Sequence, residues 1–209
     1  MKILLINGSP KVKENASGYL LEDLKEKLPQ NADVRHLHLR TRKAVTEEAV
    51  ADLEWADVWV FSFPLYVDGV PGHLLACLSD LEGCNITKRQ RIVCGISNCG
   101  FYEGKQAEVS LEILKNWGTR MGASWGMGLG VGGGGGYTNI HHMMIGGFLK
   151  APVMKGLQRM VTYLDGKDGG NLYVSVAIPM FIYRLAAHRN CRQKIKAAGG
   201  TAADLGRRL

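Results

Sequence analysis

The sequence predicts an α/β fold: a doubly wound, five-stranded parallel sheet followed by a basic helical extension. Two observations lead there. Short apolar runs at 2–7, 57–63 and 91–96 alternate with stretches of helical spacing, and each run stops at a polar turn containing glycine or proline. The runs are also nearly continuous in apolar character, as expected of strands covered on both faces. Strands alternating with helices favour parallel pairing with helical crossovers. Residues 1–168 carry this pattern, and 169–209 form the C-terminal extension.

The first strand, Lys2–Asn7, is too short for a stable helix and is halted by Gly8, Ser9 and Pro10. Tyr19, Leu20, Leu21, Leu24 and Leu28 then recur at helical spacing, with Ser17 as the expected N-cap. Lys11, Lys13, Asn15 and Ser17 lie in between. Helix-start N–H groups, ammonium groups and hydroxyls around one small space suit a phosphate dianion. A strand, a polar turn and a capped helix with nothing bound is the alternative.

Asp33–Leu39 alternates polar and apolar residues as an edge-like second strand, and 46–56 is a short acidic helix. Asp57–Phe63 is the third strand, ending at Pro64, Leu65 and Tyr66 because a proline rarely continues a strand. A helix begins at Val70, Pro71 and Gly72, with Leu74, Leu75, Cys77, Leu78 and Leu81 on its apolar stripe. Arg91–Ile96 is the fourth strand. Its polar loop, Ser97–Tyr102, leads into a long helix over Glu103–Met121.

In the fifth strand, Trp125–Gly132, every second residue is glycine. At a period of two, one face carries Trp125, Met127, Leu129 and Val131 and the other is bare, so something packs closely against it. Residues 128–133 match GxGxxG. No acidic residue follows about twenty positions later, so the match is not read as a dinucleotide fingerprint. Gly133–Gly136 with Tyr137 is expected as a mobile connection, His141 and His142 as ordinary loop residues, and Pro152–Leu164 as the last helix of the main domain.

Composition narrows the function classes. Hydrophobic residues at 46% and charged residues at 22% describe an ordinary globular chain. The net charge of +7 is concentrated: residues 184–209 hold seven Lys or Arg against Asp204 alone, whereas 1–183 hold nineteen basic and eighteen acidic residues. A nearly neutral body without a recognised module argues against a nucleic-acid partner. The opening residues lack the organisation of a signal peptide, which places the expected location in the cytoplasm. Five cysteines without zinc-like pairing point to reduced thiols and to no metal or iron–sulfur site. Cys99 is read as small rather than reactive, because no cation stands near it in sequence.

In such sheets a ligand sits outside the carboxyl ends of the strands where strand order reverses. With order 2-1-3-4-5, that point lies between the first and third strands. Gly8–Ser17 and Phe63–Gly72 border it, and Ser97–Tyr102 comes next. The first loop offers a phosphate site, the second an aromatic face and backbone groups, and the third small polar donors. Flavin mononucleotide has three matching parts.

Gly8-Ser9-Pro10-Lys11 with Asn15 and Ser17, Pro64-Leu65-Tyr66 running to Val70-Pro71-Gly72, and Cys99-Gly100-Phe101 together resemble the flavodoxin-like NADPH-dependent FMN reductase family, over roughly residues 1–165. The resemblance implies a flavodoxin-like fold with noncovalent FMN in a homodimer. It assigns Ser9, Lys11, Asn15 and Ser17 to the phosphate, Pro64, Leu65, Tyr66, Val67 and Asp68 to the ring, and Ser97, Asn98, Cys99, Gly100 and Phe101 to the pyrimidine edge. Val12 and Lys13 are extra to the usual pattern and blur which lysine meets the phosphate.

The resemblance also implies hydride transfer from NAD(P)H to the flavin and onward transfer to a small acceptor such as a flavin or quinone, with no acid–base side chain required. Tyr66, Tyr102 and Tyr137 are candidates to cover the site, with core or rim positions as the alternative. A flavodoxin-type electron carrier is the rival reading, and a sheet that has lost its cofactor is a third. The tail reads as a helix from Pro179. It packs on a partner subunit or the parent domain, or makes a peripheral membrane contact through 179–196.

Overall fold

A computed structural model of the chain describes residues 1–143 and 146–206. Its sheet is parallel throughout, with six strands: β1 (Lys2–Asn7), β2 (Asp33–His38), β3 (Val58–Pro64), β4 (Ile92–Asn98), β5 (Ser124–Gly132) and β6 (Asn171–Ser175). They lie in the order β2-β1-β3-β4-β5-β6. The expected order of the first five is present. The sixth strand is a correction: residues 171–175, read as the start of the extension, pair with β5 from Gly128↔Asn171 to Gly132↔Ser175. Tyr173 and Val174 are good strand formers, but they stand in an apolar run that continues past residue 180.

The helices are α1 (Ala16–Lys25), α2 (Glu47–Trp55), α3 (Gly72–Glu82), α4 (Glu108–Arg120), α5 (Gly134–His141), α6 (Gly146–Val161) and α7 (Met180–Ala197). Met1–Val176 form one compact unit, and a second begins at Ala177. One face of the sheet packs Leu4, Ile6, Trp59, Phe61, Phe63, Val93 and Trp125 against α2, α3 and α4, through Leu53, Leu74, Leu78, Leu114 and Trp117. Two of the three indole N–H groups in this layer are satisfied by carbonyls, Trp59 by Leu53 and Trp117 by Leu78, whereas Trp125 Nε1 is buried without a partner among the described residues. The opposite face meets α1 and α6, with Asn98 reaching Ser17 of α1 and Leu129 meeting Gly156 of α6.

Three local expectations are corrected. Asn15, not Ser17, caps α1: its backbone is extended (φ −119°, ψ 142°) and Oδ1 accepts the Gly18 N–H at 2.8 Å. The glycines after β5 are not a loose connection, because Gly133 takes a left-handed conformation (φ 78°) as the N-cap of α5. In β5 the bare face is not continuous. A register shift against β4 between Val93 and Gly95 turns Trp125 toward α4, while Leu129 and its successors keep to the α6 side. The close neighbour expected along the glycines is the 3₁₀ turn Gly104–Ala107 with its lead-in. A Cβ at Gly130 would collide with Gly104 O, and one at Gly132 with Tyr102 O.

A buried ion pair ties the helices on the α1 side together. Asp23 of α1 lies 2.8 Å from Lys150 Nζ of α6 and accepts from the Tyr137 hydroxyl of α5 at 2.5 Å. Side-chain exposure is 4% for Asp23 and 12% for Lys150, so neither charge has water as an adequate alternative partner.

Candidate functional site

At the carboxyl end of the sheet, a cleft of about 210 Å³ opens between the loops after β1, β3 and β4 and the start of α5. Asn7, the last residue of β1, organises its first wall. Its Oδ1 accepts the Ser9 N–H at 2.9 Å and its Nδ2 donates to Asn15 Oδ1 at 3.2 Å, while Asn15 Nδ2 reaches Lys11 O at 3.3 Å. One buried amide therefore pins both ends of the loop that leads into α1. Asn7 was not among the expected site residues. The signal available was a polar residue closing an apolar strand.

Ser9, Lys11, Asn15 and Ser17 all line this wall. The Ser9 oxygen accepts the Lys11 N–H at 3.3 Å, and the Ser17 oxygen accepts Asn98 Nδ2 at 2.9 Å. Each hydroxyl has spent a lone pair on an internal donor, and among the described residues neither proton meets an acceptor. Ala16 and Ser17 open α1, so their N–H groups have no carbonyl one turn back. Two hydroxyl groups, the first amide N–H groups of α1 and the positive end of that helix thus border one space. Lys11, not Lys13, lines it. Glu14 is the one acidic side chain among the lining residues, so their formal charges cancel and the oriented donors carry the attraction for an anion.

Pro64, Leu65 and Tyr66 form the second wall. The Leu65 N–H donates to Asn98 O at 2.8 Å, joining this loop to the next. Tyr66 and Gly69 exchange two backbone bonds of 3.1 Å around Val67 (φ 48°) and Asp68 (φ 59°), a tight two-residue turn. That turn carries Val67 and Asp68 off the cleft wall, and Val67 is fully exposed.

The third loop divides by strand parity. Asn98 faces α1 and lines the cleft; Ser97 faces the other way, where its oxygen accepts the Ser110 hydroxyl of α4 at 2.8 Å. Gly100 lines the floor, and a Cβ there would meet nothing within 4 Å, which leaves width for a flat ring. Cys99 lies beneath, its thiol donating to Phe101 O and Glu103 O, and burial raises its pKa above the ordinary thiol value. It is a packing residue. Phe101 serves through its carbonyl, which accepts the Gly133 N–H at 2.7 Å, as Cys99 O accepts that of Gly134.

Those two bonds set the start of α5 beside the cleft, where Gly134, Gly135 and Thr138 complete the lining. Sequence reasoning missed this segment because a glycine run carries no periodicity. Of the tyrosines considered, Tyr66 is at the cleft and Tyr137 in the core, where burial first and then its bond to Asp23 raise its pKa. His141 stacks on Tyr19 with centroids 4.1 Å apart, and His142 Nε2 lies 3.0 Å from the Tyr19 hydroxyl.

Comparison with known proteins bears on this geometry. Residues 1–76 match the family model of the flavodoxin-like fold. An FMN-dependent NADH-azoreductase from Bacillus anthracis, solved with FMN, is 18% identical with a TM-score of 0.52, over 78% of this chain and 99% of that one. A flavodoxin from Streptococcus pneumonia is 13% identical with a TM-score of 0.54, over 78% and 97%. An NADH:FMN oxidoreductase in its apo form is 16% identical with a TM-score of 0.56, over 78% and 87%. No curated protein matches the chain. The chain has the flavodoxin-like fold.

Proposed function

We propose that the cleft holds FMN noncovalently and that the protein is an oxidoreductase taking hydride from NAD(P)H and passing electrons to a small acceptor such as a flavin or quinone. The observation that carries this reading is the pairing, within one cleft, of the Ser9 and Ser17 hydroxyls and the helix-start amides at one end with the Pro64–Tyr66 wall and glycine floor at the other. Solved proteins of this fold described as FMN-dependent or as flavodoxins support it.

The donor set fits the cofactor. Ser9, Ser17 and the first N–H groups of α1 would hold the phosphate, with Lys11 beside it. Pro64, Leu65 and Tyr66 would flank the ring, and Gly100 and Gly135 leave room beneath it. A bound flavin supplies the hydride chemistry. The chain supplies binding, orientation and exclusion of water, and the buried bond from the Tyr137 hydroxyl to Asp23 keeps α5 and α1 fixed on the two sides of the cleft. Exposed apolar side chains at the rim, Tyr66, Val67 and Phe101, support action as a homodimer.

The test is a titration of the purified protein with FMN, followed by anaerobic NADH or NADPH. A stoichiometric yellow complex bleached within seconds supports the enzyme. A complex that stays yellow with either nucleotide but is reduced by dithionite assigns a carrier instead, and no complex at all removes the proposal.

A further inference from the structure

The second unit contains a surface that the flavin reading does not use. Helix α7 buries none of its residues. Phe181, Leu185, His188, Arg192 and Lys196 follow one another at intervals of three and four along one of its faces, so the same face is apolar in its first two turns and cationic afterwards. Phe181 is 72% and Leu185 70% exposed. Over its cationic half a groove of about 680 Å³ runs along Leu185, His188, Arg189, Arg192 and Lys196.

The charge within α7 is of one sign. α7 holds five Arg or Lys and no acidic residue, and no Asp or Glu occurs between Asp168 and Asp204. Among the described residues none of the five cations meets a carboxylate. Lys194 and Lys196 lie in the last turn, where they also answer the helix dipole; Arg184, Arg189 and Arg192 have no such role.

We propose that α7 is a docking surface for an anionic lipid bilayer, its cationic turns on the headgroups and Phe181, Ile182 and Leu185 at the acyl boundary. Charge complementarity selects the sign of the partner, and the adjoining aliphatic side chains select its class. A nucleic acid would answer the cations but leave Ile182 and Leu185 in water, whereas an acidic interface above hydrocarbon answers both. No helix among the described residues is long and apolar enough to cross a membrane, so the contact is peripheral.

The experiment is sedimentation of the full chain with phosphatidylcholine vesicles, with and without phosphatidylserine, at low and physiological ionic strength. Binding is expected only with phosphatidylserine and is weakened by salt. Arg189→Gln with Arg192→Gln and Lys196→Gln is expected to lower affinity about fivefold per cation, roughly a hundredfold together. Phe181→Ser with Leu185→Ser should weaken binding at physiological ionic strength, where the apolar contribution dominates. Circular dichroism checks that α7 persists in each variant.

Equal binding to neutral vesicles overturns the proposal, as does binding that neither variant changes. So does tight binding of a labelled oligonucleotide, or an oligomer dissolved by the serine variant, when no vesicle binding accompanies it. A wild-type chain that stays in the supernatant under every condition also ends it. None of these outcomes depends on flavin, so the lipid surface and the FMN site fail separately.

Discussion

Replacing Ser9 and Ser17 together by alanine isolates the end of the cleft proposed to hold the phosphate. Each hydroxyl oxygen already accepts an internal N–H, from Lys11 and from Asn98, so what each has left to offer a ligand is its proton. A bond from such a donor to a phosphate is charge-assisted. With the amide donors of α1 still in place to share the anion, the pair contributes about 2–3 kcal/mol, about 30- to 150-fold in Kd. The fold should tolerate both changes: Asn98 Nδ2 keeps its 3.0 Å bond to Phe63 O, and position 17 is helical, where alanine is favourable. Fluorescence titrations with FMN and with riboflavin read the result. FMN should weaken by the stated factor and riboflavin, which has no phosphate, should not. Unchanged FMN affinity, or an equal loss for both flavins, would refute the placement of the phosphate.

Three further outcomes follow from the interior. Lys150→Met leaves Asp23 buried with Tyr137 as its remaining partner and should cost about 3 kcal/mol. Adding Asp23→Asn should recover much of that loss, and urea unfolding of the single and double variants checks both. Gly132→Ala sets a methyl group against Tyr102 O, which already accepts the Ser175 hydroxyl at 2.6 Å, so a loss of about 3 kcal/mol is expected in thermal unfolding. Tyr137, with its folded pKa raised above the ordinary value of 10, keeps its proton in the native state after the unfolded chain has lost it. Its contribution is complete below pH 10 and declines as pH rises beyond that. Tyrosinate absorbance should therefore show Tyr137 ionising only with unfolding, and Tyr137→Phe should remove that part of the alkaline loss.

What the chain order announces and what folding decides are separable here. Apolar runs closed by Gly8, Pro64 and Ser97 mark three strands ending in ligand-sized loops, because strand period and turn chemistry are properties of neighbouring residues. That much locates the cleft and brings Ser9, Lys11, Asn15, Ser17 and Tyr66 to it. Which side of the sheet a residue serves is different. Ser97 and Asn98 are adjacent and equally polar, and only pairing with β3 and β5 sends one to α4 and the other to the cleft.

The same dependence on distant partners hid the rest. Asn7 holds the loop before α1 through bonds to Ser9 and Asn15, residues it meets only once the turn has closed. Gly134 and Gly135 reach the site because Cys99 and Phe101 offer carbonyls to the start of α5, and Asp23 and Lys150 find each other across 127 positions of chain. Residues 171–175 are a strand because β5 presents an open edge to them. The sequence alone determined the alternation of strands and helices and the loops that end them, since those follow from local periodicity and backbone preference. Only the tertiary structure decided sidedness, the sixth strand and the buried pair, since each is an interaction between groups that the unfolded chain keeps apart.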